Sequence, residues 1–256
     1  MAEIAIVGSK EEAGELAAEQ IARLVAARPD AVLGLATGST PLSTWAALER
    51  RRLDLSHARG FALDEYVGLP SGHPESYRAV VTREIVEPLG MRPEAVHVPG
   101  DDGGPLDGAG ERYEAAIRGV GGVDLQVLGI GRTGHIGFNE PGSSLASRTR
   151  IKTLTEATRA DNARFFDSVD QVPSHCLTQG LGTILDARQL VLLAFGDAKA
   201  DAVAAALEGP LTSSLPGSVI QLHPRALVIL DEEAASKLER ADYYRFAWDH
   251  RLDFEL

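Results

Sequence analysis

Residues 31–51 read AVLGLATGSTPLSTWAALERR, and their pattern decides the fold. An apolar run over 31–36 ends in Thr37, Gly38, Ser39, Thr40 and Pro41, after which a helical spacing follows from Leu42 to Arg51. A short apolar run, a turn and a helical period make one β-α unit of a parallel sheet. Hydroxyl residues followed by proline also predict a capped helix start at this junction.

Working outward, the same alternation recurs. Apolar runs predict strands at 4–7, 60–63, 95–98, 123–130, 190–195 and 226–230. Residues 11–27 show the intervening helical period, with Leu16, Ile21, Leu24 and Val25 on one stripe and Glu11, Glu12, Glu15 and Glu19 opposite. The fold class is therefore α/β, a doubly wound and mostly parallel sheet of Rossmann-like type, read as a single domain over residues 1–256. Residues 99–110, rich in Gly, Pro and Asp, read as a surface connection. Residues 141–181 break the alternation with a polar strand-like piece and a helix at 156–168, and read as a lid insertion.

Composition narrows the function. With 44% hydrophobic and 24% charged residues the chain is expected to be globular, and 25 basic against 37 acidic residues give a net charge of −12. That charge opposes nucleic acid and anionic membrane as partners. The single Cys176 forms no internal disulfide, no stretch has the apolar length of a membrane span, and the N-terminus lacks a leader pattern. A cytoplasmic location is expected. The seven histidines show no metal-ligand spacing, so neither metal nor redox cofactor is expected.

Ligands of open parallel sheets bind beyond the carboxyl ends of the strands. The first such place is Gly38, Ser39 and Thr40, whose amides at a helix start suit a phosphate. An ordinary capped junction explains the same residues. The second is Asp64 and Glu65, after the run at 60–63. Their side chains face opposite ways in extended chain, so one reaches a pocket, where burial raises its pKa and makes it a better base. Spacing does not choose between them, and a surface turn explains both. The third is GIGRTGHIGFNEPG, 129–142. It contains Gly-x-Gly-x-x-Gly, but Gly137 and Pro141 make it an irregular loop rather than the helix start a dinucleotide needs. His135 and Glu140 there could form an acid/base pair, the carboxylate raising the pKa of the ring. His175 beside Cys176 is not read as a catalytic dyad, because neighbours in extended chain point apart.

TGSTPLSTWAAL (37–48), LDEYVGLPSGHPESY (63–77), GHIGFNEPGSSLASRTRIKTLT (134–155) and RFFDSVDQVP (164–173), in this order, closely resemble the glucosamine-6-phosphate deaminase family. The likeness covers roughly residues 30–231. It implies isomerisation of glucosamine 6-phosphate coupled to loss of ammonia, giving fructose 6-phosphate without a cofactor. It also implies roles. Asp64 matches the enolisation base, His135 the ring-opening acid/base and Glu140 the carboxylate that orients it. Arg164 and Lys199 match a cationic clamp that grips the phosphate with Gly38, Ser39 and Thr40. Two residues before the histidine the family carries Asp or Asn where this chain has Thr133, which can bond the ring but supplies no charge. Arg148, Arg150 and Lys152 alternate, so an extended segment would put their charges on one face. In members activated by N-acetylglucosamine 6-phosphate, residues matching Ser143, Arg150 and Lys152 hold the activator at a subunit interface of a hexamer. The tyrosine that completes that site corresponds here to Arg245, with Tyr244 adjacent. Two other classes compete: a sugar-phosphate lactonase or isomerase sharing the phosphate loop, and a sugar-phosphate sensor without catalysis. The sensor reading lacks a basic DNA-binding segment.

Overall fold

The computed structural model describes residues 2–252, and among them the chain forms ten strands. They are β1 (Glu3–Val7), β2 (Val32–Leu35), β3 (Arg59–Ala62), β4 (Asp64–Val67), β5 (Val96–His97), β6 (Leu125–Gly129), β7 (Arg150–Thr153), β8 (His175–Thr178), β9 (Gln189–Ala194) and β10 (Ala226–Asp231). The helices are α1 (Lys10–Ala27), α2 (Leu42–Arg51), α3 (Tyr77–Val81), α4 (Glu87–Leu89), α5 (Ala109–Gly119), α6 (Glu156–Asn162), α7 (Leu181–Leu185), α8 (Ala200–Glu208) and α9 (Ala241–Asp249).

All seven apolar runs become strands of one sheet, in the order β1-β10-β9-β6-β2-β3-β5, with every pairing parallel. The whole of β2, and all but one terminal residue of β6, β9 and β10, is buried, because helices cover both faces. This explains why those strands read as continuous apolar runs. The chain winds outward from β2 through β3 to β5, then restarts at β6 on the other side of β2 and winds through β9 to β10. The reversal between β2 and β6 opens a crevice beyond their carboxyl ends. The turn after β2 and the loop after β6 both start there, with the Thr40 side chain against Gly129.

Local chemistry fixes the elements around that crevice. Ser9 caps α1 by accepting the Glu12 amide at 3.1 Å, and the Glu12 carboxylate takes the Gly8 amide at 2.9 Å. Gly14 lets α1 cross directly over α2, since a Cβ there would overlap the Ser43 backbone. The Trp45 indole of α2 donates to the Ala36 carbonyl at 3.2 Å, pinning the exit from β2. The expected hydroxyl cap of α2 is not made: Pro41 occupies the cap position with φ −78° and ψ −6°, and no side chain caps the helix.

A second, antiparallel sheet of three strands, β4-β8-β7, stands apart from the first. Asp64 therefore does not trail off the large sheet but begins a strand of the small one. Tight pairing at the bend is the reason. The Leu63 amide donates to Leu35 at 3.1 Å, and its carbonyl accepts from Gln179 at 2.7 Å. The Tyr113 hydroxyl and the Gln179 side-chain amide both donate to the Ala62 carbonyl, at 2.7 and 3.0 Å. Residues 141–181 supply β7, α6 and β8. The helix expected at 156–168 stops at Asn162, and Phe166 turns extended to meet the Tyr66 ring edge-on at 5.8 Å. Tyr66, Phe138, Leu154, Val172 and Cys176 form a small core beneath this insertion. No described helix is long and apolar enough to cross a membrane.

Candidate active site

Gly38 holds a φ of 90°, a left-handed value that suits glycine, and turns the chain so that the Thr40 side chain lies against Gly129 at the end of β6. Among the described residues no protein acceptor takes the amides of Gly38, Ser39 and Thr40 or the hydroxyls of Ser39 and Thr40. Of the two explanations for this turn, the cap is absent and a cluster of unused donors remains. Such donors at a helix start suit an anion.

The loop after β6 is closed by the Gly131 amide donating to the His135 carbonyl at 2.8 Å, with Gly134 (φ 78°) at its tip. A Cβ on Gly131 would overlap the His135 ring, so glycine here makes room for the imidazole. Gly131→Ala is expected to displace the ring and lower kcat at least about tenfold, with the melting temperature little changed. Steady-state rates beside a melting curve check this.

His135 Nδ1 lies 2.9 Å from the Thr133 hydroxyl and 3.7 Å from Glu140 Oε2. Burial holds the imidazole below its ordinary pKa; the Glu140 charge opposes this, Lys199 adds to it and Asp161 opposes it. The sequence led us to expect a raised value. Burial wins because the carboxylate stands beyond hydrogen-bond distance while the neutral Thr133 takes the nearer place. The ring is therefore neutral near pH 7.

The two adjacent carboxylates have separate fates. Glu65 accepts the backbone amides of Tyr66 at 2.7 Å, Tyr77 at 2.9 Å and Arg78 at 2.9 Å, and so anchors the start of α3. Asp64 is 7% exposed, and its side chain faces the Gly137 backbone of the loop after β6. Burial first, and the Glu65 charge second, push its carboxyl up to about 8. Asp64 stands opposite Thr178 in the small sheet, and the Thr178 hydroxyl accepts the Phe138 amide at 3.1 Å, which ties that sheet to the loop. Buried Cys176 lies close enough to feel both Asp64 and Glu140, whose charges add to the burial that raises its thiol pKa. A surface turn at Asp64 is ruled out by these contacts.

A group of cations lies near His135. Lys199, after Gly196 at the carboxyl end of β9, has its pKa lowered by burial, with Asp161 opposing and Arg132 and Arg164 adding their repulsion. Arg164 lies exposed with its guanidinium 4.7 Å from the Phe165 ring centre. Arg132 pairs with Asp161 of α6. Lys199 thus stands near His135 with Arg132 and Arg164 near it in turn, the 38–40 turn meets the start of the same loop at Gly129, and Asp64 approaches that loop through Gly137.

The basic segment at 148–152 is only partly as expected. Arg148 precedes β7 and is tied to Glu114 at 2.7 Å and Asp186 at 2.6 Å, so it does not share a free face with Arg150 and Lys152. Arg150 donates to Asn139 Oδ1 at 2.8 Å, next to Glu140. Ser143 is buried with its hydroxyl unpaired among the described residues, Tyr244 is buried and Arg245 pairs with Glu232. A cavity of about 400 Å³ lined by Glu114, Arg118, Arg148, Thr183 and Asp186 shares no residue with the crevice, and its charges pair with one another.

Sequence reasoning missed Gly131, Arg132, Asp161, Thr155 and Thr158. The one available signal was the spacing of Thr155 and Thr158, three apart at a helix start, which reads as capping before anything else.

Comparison with known proteins bears on this geometry. Residues 9–229 match the family described as glucosamine-6-phosphate isomerases/6-phosphogluconolactonase. A protein of Bifidobacterium longum subsp. infantis named glucosamine-6-phosphate deaminase is 57% identical, with 98% of each chain covered. One of the same name from Streptomyces coelicolor is 56% identical, with 99% of each covered. A solved monomeric glucosamine-6-phosphate deaminase superposes with a TM-score of 0.89 at 41% identity, covering 93% of this chain and all of that one. The 6-phosphogluconolactonase of Trypanosoma cruzi, at TM-score 0.73 and 20% identity over 93% of this chain and 97% of its own, shares the fold. With the crevice at the β2/β6 reversal, the open donors at 38–40 and matches spanning nearly its whole length, the chain belongs to the glucosamine-6-phosphate isomerase and 6-phosphogluconolactonase family.

Proposed function

We propose that this chain is a glucosamine-6-phosphate deaminase of the cytoplasm. The observation that carries the reading is Asp64, a buried carboxyl with its pKa near 8, facing the loop of His135 at the crevice where the 38–40 donors stand open. A lactonase needs water delivered to a carbonyl; a base set against a carbon acid suits enolisation.

The phosphate sits on the amides and hydroxyls of Gly38, Ser39 and Thr40, with Lys199 and Arg164 supplying the positive charge that an acidic chain otherwise lacks. Neutral His135 takes the anomeric hydroxyl proton and returns it to the ring oxygen, which opens the pyranose. Thr133 and Glu140 orient the ring. Asp64 then removes the C2 proton, leaving an enolamine. The substrate ammonium beside it favours the ionised carboxylate at this step. Return of the proton at C1 gives an iminium at C2, water adds there, and ammonia leaves to give fructose 6-phosphate. The insertion 141–181 acts as the lid over these events.

Incubation with glucosamine 6-phosphate is expected to release ammonia and fructose 6-phosphate in equal amounts. Hydrolysis of 6-phosphogluconolactone without ammonia release would replace this reading by the lactonase one.

Regulation through Ser143, Arg150 and Lys152 in a hexamer belongs to the same proposal. Arg150 supports it by bonding Asn139, one residue from Glu140. Addition of N-acetylglucosamine 6-phosphate is expected to convert a sigmoidal rate curve to a hyperbolic one, with a hexamer on sizing. A monomer with an unchanged curve sets the regulation aside and leaves the chemistry in place.

A further inference from the structure

Glu140 is 4% exposed and its two oxygens are treated differently. Oε1 receives the hydroxyls of Thr158 and Thr155, the latter at 3.1 Å, both from the first turn of α6. Oε2 is buried, has no hydrogen-bond partner among the described residues, and faces His135 Nδ1 at 3.7 Å. Thr155 has a helix to cap and does so, its hydroxyl accepting the Thr158 amide at 3.2 Å. Thr158 has no such duty. At 3% exposure its hydroxyl sits within the protein and donates to the carboxylate, with the Thr155 hydroxyl 3.1 Å away.

A carboxylate held by one oxygen leaves the other free to point one way only. We propose that Thr158 is a positioning residue of the deamination, acting through Glu140: its hydroxyl fixes Oε1 so that Oε2 stays aimed at His135. Because Thr158 rides on α6, within the insertion 141–181, the dyad is aligned only while α6 is seated against the loop after β6. Arg132 and Asp161 make a second tie between the same two segments. Seating the helix and arming the acid/base pair are thereby one event.

The inference rests on the deaminase reading of the site. In the full chain, Thr158→Val is expected to lower kcat for glucosamine 6-phosphate about tenfold with KM within about twofold, since geometry rather than binding is lost. Thr158→Ser restores the rate by restoring the donor. A cycle with Glu140→Gln supplies a readout that a merely structural role would not move: the valine change is expected to add nothing once the carboxylate is gone. Should the valine variant melt below the assay temperature, Thr158→Ala serves in its place. Equal slowing by valine with and without Glu140, an unslowed valine variant, or a serine variant as slow as valine each overturns the inference while the wild type still releases ammonia. A wild type that releases none overturns the deaminase reading itself.

Discussion

Asp64→Asn is expected to lower kcat by about 10²–10⁴-fold while KM for glucosamine 6-phosphate stays within a few-fold, and at the same time to make the protein more stable above neutrality. The two effects share one cause. In the folded chain the carboxyl is pushed up to about 8, whereas in the unfolded chain it titrates near 4. The folded state therefore holds a proton that the unfolded state has lost, and stability falls as the pH rises from about 4 to about 8. Asparagine copies the neutral acid and carries no such penalty. The variant is expected to match wild type below about pH 4 and to be about 5 kcal/mol more stable at pH 8. The same titration gives the wild type a kcat/KM that climbs with pH toward about 8. Urea melts at both ends of that range, beside ammonia release, check this. A variant within tenfold of wild type, or a stability gain that does not depend on pH, would remove Asp64 as the base.

Glu65→Ala, one residue on, is expected to do the opposite. Its carboxylate is the acceptor for the amides of Tyr66, Tyr77 and Arg78, and alanine leaves them without one. Orphaned buried donors cost about 1–3 kcal/mol each, so a loss of about 3–5 kcal/mol is expected after partial rescue by water. Denaturant melts at fixed pH measure it. A loss under about 1 kcal/mol would mean that α3 is held by its Ser76 cap instead. Adjacent carboxylates, one strained for chemistry and one satisfied for structure, should thus move stability in opposite directions.

Asp64 and Glu65 also show where legibility ends. Alternation said that they face opposite ways, and they do, but which side is the crevice depends on a strand 110 or more positions away: β8 pairs Asp64 with Thr178 and Glu65 with Leu177. Nothing local encodes that register. The pKa of His135 failed for a related reason. Its charged partner was visible in the sequence, but the depth of burial and the 3.7 Å gap to Glu140 were not. At Pro41 a sound local rule predicted a cap, and the hydroxyls were left open instead.

The sequence by itself determined the large sheet. Each of its seven strands falls on an apolar run of the sequence, and β2, β6, β9 and β10, buried on both faces, keep that signal whatever their neighbours are. The motifs at 37–48, 63–77, 134–155 and 164–173 likewise identified the family before any contact was known. Only the tertiary structure decided that the 38–40 turn and the His135 loop lie side by side, because strand order sets the crevice and is not written in any one segment. It alone brought the Thr158 hydroxyl of α6 to Glu140. A hydroxyl's partner is settled by which surfaces pack together, and in this insertion that depends on contacts between elements far apart in the chain.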